Sequence, residues 1–166
     1  AQDEIILEKL AMPHSPRVIN NQLYLLQSAK GEVIKVDTNT KSYEVVARIP
    51  GILRGMAEYG DYMFIGVSKP RESSKTFKKL PEEFKKQSAG IIVFYKPTWG
   101  YVGEIKYSTT INEIFDVQIL PNLLRPNIIH RKSIISEDAI VAKNLSFWYK
   151  RPIIANKKSK NINHGK

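Results

Sequence analysis

His14 and Arg54 stand 40 residues apart, each at the head of a stretch rich in β-branched and aromatic residues. Arg17, Lys69 and Arg71 add cations near the two stretches, and Glu72, Glu113 and Asp116 add carboxylates. If His14, Arg17, Arg54, Lys69 and Arg71 converge, the result is a net cationic cluster. Such a cluster suits a carboxylate, phosphate or sulfate, because guanidinium and ammonium groups give charge-assisted hydrogen bonds to oxyanions. Glu113 and Asp116 would then orient the arginines, or take a cation through oxygen ligands. The plainer alternative is a structural ion pair between sheet units, Arg54 with Glu113 or Asp116, since buried polar groups need partners.

The chemistry available for catalysis is narrow. The histidines are His14, His130 and His164, and there is no cysteine, so neither disulfides nor thiolate metal sites arise. No HExxH, paired-histidine spacing, GxSxG elbow or GxxxxGK[ST] phosphate loop occurs, and no metal or cofactor is expected. Glu113 and Asp116 lie three apart on a presumed strand and so point to opposite faces, which argues against a carboxylate pair. What remains for an enzyme is His14 as general base with the cations stabilising developing negative charge.

The elements that would position these residues repeat. Glu4-Ile5-Ile6 answers Glu44-Val45-Val46, and the nine residues Asn20–Ser28 answer Gly60–Ser68, both at an offset of 40. A period near 40 built of short strands and turn formers is the pattern of propeller blades. Glu4–Leu10 reads as a strand, and Pro13 and Pro16 hold Met12–Arg17 extended. Val18-Ile19, Leu23–Gln27, Val33–Val36 and Tyr43–Ile49 give four strands of one antiparallel meander, punctuated at Asn20-Asn21, Ala29-Lys30-Gly31 and Asp37–Thr40. Leu53–Tyr59, Tyr62–Ser68, Gly90–Tyr95 and Tyr101–Tyr107 give a second. A third unit opens at Glu113–Leu120 and dissolves into Pro121, Asn122, Pro126 and Asn127. Innermost strands line a propeller's channel, so charge at the heads of successive inner strands would meet in one small volume.

The second unit carries an insertion over residues 69–89. Within it Pro81–Gln87 predicts a short amphipathic helix, with proline at its start, acids in its first turn and bases in its last. Phe77, Leu80 and Phe84 share one face and would lie over the sheet edge or the channel mouth. Beyond residue 130 the pattern weakens. Ile134-Ile135 and Ala139–Ala142 suggest one more hairpin, Phe147-Trp148-Tyr149 is an aromatic cluster flanked by bases, and Asn156–Lys166 reads as disordered. The formal net charge of +10 is concentrated there: residues 131–166 hold 9 Lys/Arg against 2 acids. A basic end attracts nucleic acid, acidic protein or anionic lipid, and is most simply a solvated tail. The division expected is a partial β-propeller domain over 1–130 and a basic, weakly structured tail over 131–166.

About two to three blades do not close a ring, which takes roughly four to eight. Earlier blades, self-association or an open curved sheet would resolve the difficulty, the first being favoured. No apolar run reaches membrane-spanning length, and a cytoplasmic location is expected.

Four segments come in a suggestive order: Met12–Arg17, Gly51–Gly55, Gly66–Ser73 and Glu113–Pro121. Together they resemble the C-terminal part of an uncharacterised family of conserved hypothetical bacterial proteins. The resemblance spans roughly residues 4–129. It implies a propeller-like fold, a longer parent protein with further N-terminal blades, and in some members fusion to tetratricopeptide repeats. It carries no activity, and the basic tail departs from it.

The sequence therefore points to an all-β fold of antiparallel four-stranded meanders, a partial β-propeller with a short helical insertion. Its expected role is a binding or interaction module that holds a small anionic ligand at the channel. The expected ligand set is His14, Arg17, Arg54, Lys69, Arg71, Glu72, Glu113 and Asp116. An enzyme using the same pocket with His14 as base is the alternative. Nucleic-acid binding through the basic aromatic tail ranks third, since no RNP, KH or zinc-finger signature is present.

Overall fold

The computed structural model of the chain describes residues 3–70, 80–107, 111–124, 139–142 and 145–148. By its internal contacts the chain forms two units, Ala1–Pro121 and Asn122–Lys166. The first holds two antiparallel four-stranded meanders, each with strands in sequence order. Sheet one is β1 (Pro13–Ile19), β2 (Gln22–Gln27), β3 (Glu32–Asp37) and β4 (Ser42–Arg48). Sheet two is β5 (Ile52–Tyr59), β6 (Tyr62–Ser68), β7 (Gly90–Tyr95) and β8 (Gly100–Lys106). This is the expected all-β architecture, a partial propeller-like fold of blade-type sheets.

The 40-residue offset has a physical basis in the turns. Asn20 and Asn21 join β1 to β2 with φ of 50° and 60°, the two positive values of a type I′ hairpin. Gly60 and Asp61 join β5 to β6 with only Gly60 positive, at 58°, the pattern of type II′. Different residues thus solve the same two-residue reversal with the right-handed twist that strands require. The β3–β4 turn is held by Asp37, whose carboxylate accepts the amides of Asn39 and Thr40 at 2.9 and 3.1 Å.

The two sheets pack face to face. Cross-strand pairs Leu26–Val33, Met63–Phe94 and Ile65–Ile92 all enter one core, joined by Tyr24, Leu53, Met56 and Val67. Leu26, Leu53, Met56, Met63 and Ile65 are wholly buried, each contributing about 1.5–3 kcal/mol by removal from water. An aromatic chain crosses the interface: Trp99, in the β7–β8 turn, lies 5.6 Å from Tyr24 and 6.0 Å from Phe94 between ring centroids.

Two expectations need correction. Residues 4–10 form no strand; Lys9 and Met12 take left-handed φ of 57° and 53°. They correspond by offset to β4, but β4 is a strand because β3 pairs with it, and residues 4–10 have no such neighbour among the described residues. They are instead tied to sheet one by Glu4 on Lys41 at 2.8 Å and by the Ala11 amide on the buried Gln27 side chain at 3.2 Å. The inner strand of the first unit starts earlier than expected, at Pro13, and bulges: Ser15 and Pro16 oppose a single residue of β2, with Ser15 at φ 52°. In the second unit of the chain β9 (Ala139–Ala142) pairs with β10 (Leu145–Trp148); the expected partner Ile134-Ile135 lies outside the described residues.

The helical insertion is present as one turn, α1 (Glu82–Lys85). Its buried Phe84 reaches Gly31 of sheet one, and Gln87 lies on Gly51. Gly31 leaves the room: a Cβ there would meet the Phe84 ring at 2.9 Å and the Ile49 carbonyl at 2.0 Å. Both glycines stand at the end of the sheets where β1 and β5 begin. Phe77 and the rest of 71–79 lie outside the described residues.

Candidate functional site

Both inner strands are edge strands, and they run side by side. A third extended run, residues 111–120, lies beside β5 in no strand of its own. Two equivalent serines fix its register. The Ser28 hydroxyl donates to the Leu53 carbonyl of β5, at 2.5 Å. Forty residues on, the Ser68 hydroxyl donates to the Ile114 carbonyl at 3.2 Å and accepts the Ile114 amide at 2.8 Å. Each sheet thus latches the head of the next inner run through the same serine. Ile114 is therefore the counterpart of Leu53, Phe115 of Arg54, and Asp116 of Gly55.

The backbone at this level is crowded. Gly55 has φ 82°, and a Cβ on it would meet the Val117 nitrogen at 2.5 Å and the Asp116 carbonyl carbon at 2.6 Å. Gly55 also donates its amide to the Ser15 hydroxyl at 2.9 Å. Ser15 and Gly55, 40 apart and both at positive φ, stitch β1 to β5, while Gly55 seats the third run. Gly66 is equally necessary, since a Cβ there would lie 2.1 Å from the Arg54 carbonyl and 2.6 Å from Ile114.

These contacts carry the heads of three inner runs to one level, with His14, Arg54 and Phe115 in equivalent places. The charge of Arg54 reaches His14: burial first, and Arg54 second, lower the imidazole's pKa below its ordinary 6.5, so it is neutral at neutral pH. The Arg54 guanidinium also lies over the Phe115 ring, 5.1 Å from the centroid. Among the described residues no carboxylate pairs with Arg54.

The remaining expected residues divide. Arg17 and Asp116 come together at 2.9 Å, joining β1 to the third run. Asp116 also accepts from the Gln118 side chain and the Val117 amide, both at 2.9 Å. The Gln118 bond, then the Val117 amide and Arg17, hold its carboxyl below the ordinary 3.8, against the opposing effect of desolvation. The inter-unit ion pair foreseen for Arg54 is thus made by Arg17. Lys69 is exposed at the same end, its amide on the Asn112 carbonyl at 2.8 Å. Glu113 is half-buried just ahead of Ile114. Arg71 and Glu72 lie outside the described residues.

Below the His14–Arg54–Phe115 level an open groove of about 260 Å³ follows the inner runs, lined by Arg17, Ile19, Ala57, Tyr59, Gln118 and Pro121 among others. Arg17, Ala57 and Gln118 hold equivalent positions on the three runs. A larger cleft, about 630 Å³, lies on sheet one around Val36, Asp37 and Tyr43. Its lining includes no histidine or arginine, and its charges are engaged locally, Lys35 with Glu44 at 3.1 Å and Asp37 with its own turn. The inner-run groove is the better candidate because residues of all three inner runs line it, Arg17 among them.

Sequence reasoning missed Phe115, Ser15 and the Ser28/Ser68 latch. The serines were legible, since both end the repeated nine-residue segment. Phe115 was not: the insertion changes the offset, and only the Ser68 contact reveals that the third run is displaced by 61 residues from the second.

A family model for a domain of unknown function (DUF4915) matches residues 1–129. Comparison with curated proteins gives no match.

Proposed function

The chain belongs to the DUF4915 family, and we propose that it acts as a binding module holding a small anion where its three inner runs begin. One contrast carries this reading. Arg17, Lys35, Lys41, Arg48, Lys96 and Lys106 each sit on a carboxylate. Arg54 is half-buried, beside a neutral imidazole and over an aromatic ring, and has no carboxylate among the described residues. An anion about 4 Å from such a group gains on the order of 4 kcal/mol at an effective dielectric near 20. A thermal-shift screen of anionic metabolites tests the reading. Stabilisation by an anion that disappears in Arg54→Ala supports it; an Arg54→Ala variant that binds as the wild type does refutes it.

A second reading, an enzyme using the same pocket, draws on the neutral state of His14, which suits a general base beside a cation. Turnover lost in His14→Ala with anion binding retained would favour it over the binding module. Completing a ring of about four to eight blades calls for sheets beyond the two described, from further polypeptide or a second copy. Among the described residues no helix is long and apolar enough to cross a membrane.

A further inference from the structure

Sheet two has a second face, turned away from the core it shares with sheet one. Residues opposite one another in an antiparallel ladder share a face, and successive residues alternate between faces. Met63 and Phe94 are opposite one another and lie in the core. The other face therefore carries two rows, Tyr59 with Tyr62 and Tyr95, and Ala57 with Phe64 and Val93. The tyrosines are 53%, 43% and 39% exposed, and the rings of Tyr62 and Tyr95 lie 6.0 Å apart between centroids. Phe64 is the counterpart of Tyr24 at the offset of 40. Tyr24 is only 8% exposed, because sheet two covers it and Trp99 packs on its ring. The same face is thus buried by a following sheet in sheet one and half-open in sheet two.

The third run begins to cover this face, since Ile114 and Val117 lie on Gly66. Through the Ser28/Ser68 latch it holds the place beside β5 that β5 holds beside β1. β1 and β5 each pair with a following strand, β2 and β6. The third run has no such strand: among the described residues, Phe115, Gln118, Ile119 and Leu120 take part in no backbone hydrogen bond. An extended backbone left this way is a template for a further strand, whose main chain gives affinity and whose alternate side chains give specificity.

We propose that residues 115–120 take an antiparallel strand from a polypeptide outside this chain, with apolar side chains at alternate positions that settle on Phe64 and the tyrosine row. The pattern follows from β6, whose Met63 and Ile65 share one core with Tyr24 and Leu26 of sheet one. The source follows from the sheets. In a second copy, the strands of this pattern, β2 and β6, are each held on both edges, so lending one would open that copy's own core. β9 and β10 are four residues long and pair with one another, too short to match the run from 115 to 120. This surface is distinct in chemistry from the anion site, and the proposal does not rest on that reading.

The test is an NMR titration of the full chain, with amide hydrogen exchange, using a synthetic peptide of residues 20–28, the repeat's own second strand. In the chain alone the amides of residues 118–120 should exchange freely. The peptide should shift their signals and slow their exchange at least about 10-fold. A peptide carrying Leu23→Asp and Leu25→Asp should do neither, since it sets carboxylates against the apolar face. Tyr62→Ala in the chain should weaken the peptide about 3- to 10-fold, the range of one aromatic contact. Tyr59→Ala, at the most exposed of the three tyrosines, should do the same if Tyr62→Ala lowers the melting temperature. Slow exchange at 118–120 in the chain alone would show that its own residues already fill the edge, and protection that rises with protein concentration would show a second copy there; either result overturns the proposal. Equal binding of the two peptides, shifts that leave residues 115–120 unmoved, or no binding at all would overturn it too.

Discussion

Gly55→Ala is expected to be among the costliest small substitutions in the chain, and its size can be worked from the backbone. At φ 82° an L-residue is strained, by roughly 1–2 kcal/mol. The added methyl would lie 2.5–2.7 Å from three backbone atoms of Asp116 and Val117. Backbone cannot swing aside as a side-chain tip can, so the third run must lift from β5. Lifting it weakens both Ser68–Ile114 hydrogen bonds, worth about 0.5–1.5 kcal/mol each, and uncovers part of the buried Val117. The total is about 3–5 kcal/mol, a large share of the 5–15 kcal/mol typical of a domain. Gly60→Ala is the control: φ is 58°, but nothing lies within 4 Å of its added methyl, so only the conformational cost of about 1–2 kcal/mol applies. Urea unfolding followed by tryptophan fluorescence, with Trp99 reporting on the core, measures both. If Gly55→Ala costs no more than Gly60→Ala, the third run is not seated on β5, and the placement of Phe115 beside Arg54 loses its support.

Ser28→Ala should cost about 1–3 kcal/mol, since it leaves the Leu53 carbonyl without its partner in the core. Ser68→Ala should cost a similar amount, and amide exchange should then speed up selectively at Ile114; both are read by denaturation and hydrogen exchange. The lowered pKa of His14 means that the unfolded chain takes its proton more readily, so its contribution turns against folding as pH falls below 6.5 toward the folded value. Stability measured from about pH 8 to about pH 5 should be flatter in His14→Gln than in wild type. Asp116 has the opposite sense of charge: its contribution is present above 3.8 and lost as pH falls through the lower folded value. Asp116→Asn should remove that part of the acid transition, as seen in the pH dependence of the unfolding midpoint.

Much of the fold was legible because its local chemistry repeats. Asn20-Asn21 and Gly60-Asp61 announce the same two-residue hairpin at an offset of 40. β5, β6, β7 and β8 fell within a residue of the expected bounds for this reason. Residues 4–10 misled because their pattern is that of β4, while a strand is defined by its neighbour and not by its own residues. The bulge at Ser15 was hidden because Pro13 and Pro16 signal extension without revealing the left-handed residue between them. At the site, the pairing of Arg17 with Asp116 depends on how far the third run slides along β5. That slide is set by the Ser68 hydroxyl and the bare backbone at Gly55 and Gly66, which are long-range contacts that spacing along the chain does not encode.

The arrangement of His14, Arg54 and Phe115 at one level is tested most directly by proton–proton contacts in solution. A nuclear Overhauser spectrum should show the Phe115 ring against the Arg54 side chain, the His14 imidazole near the same side chain, and an upfield ring-current shift of the Arg54 methylenes that vanishes in Phe115→Leu. Contacts between Tyr24 and Trp99, 5.6 Å apart between ring centroids, serve as the internal standard. A spectrum that shows Tyr24 against Trp99 but neither Arg54 contact would contradict the shared level of the three inner runs.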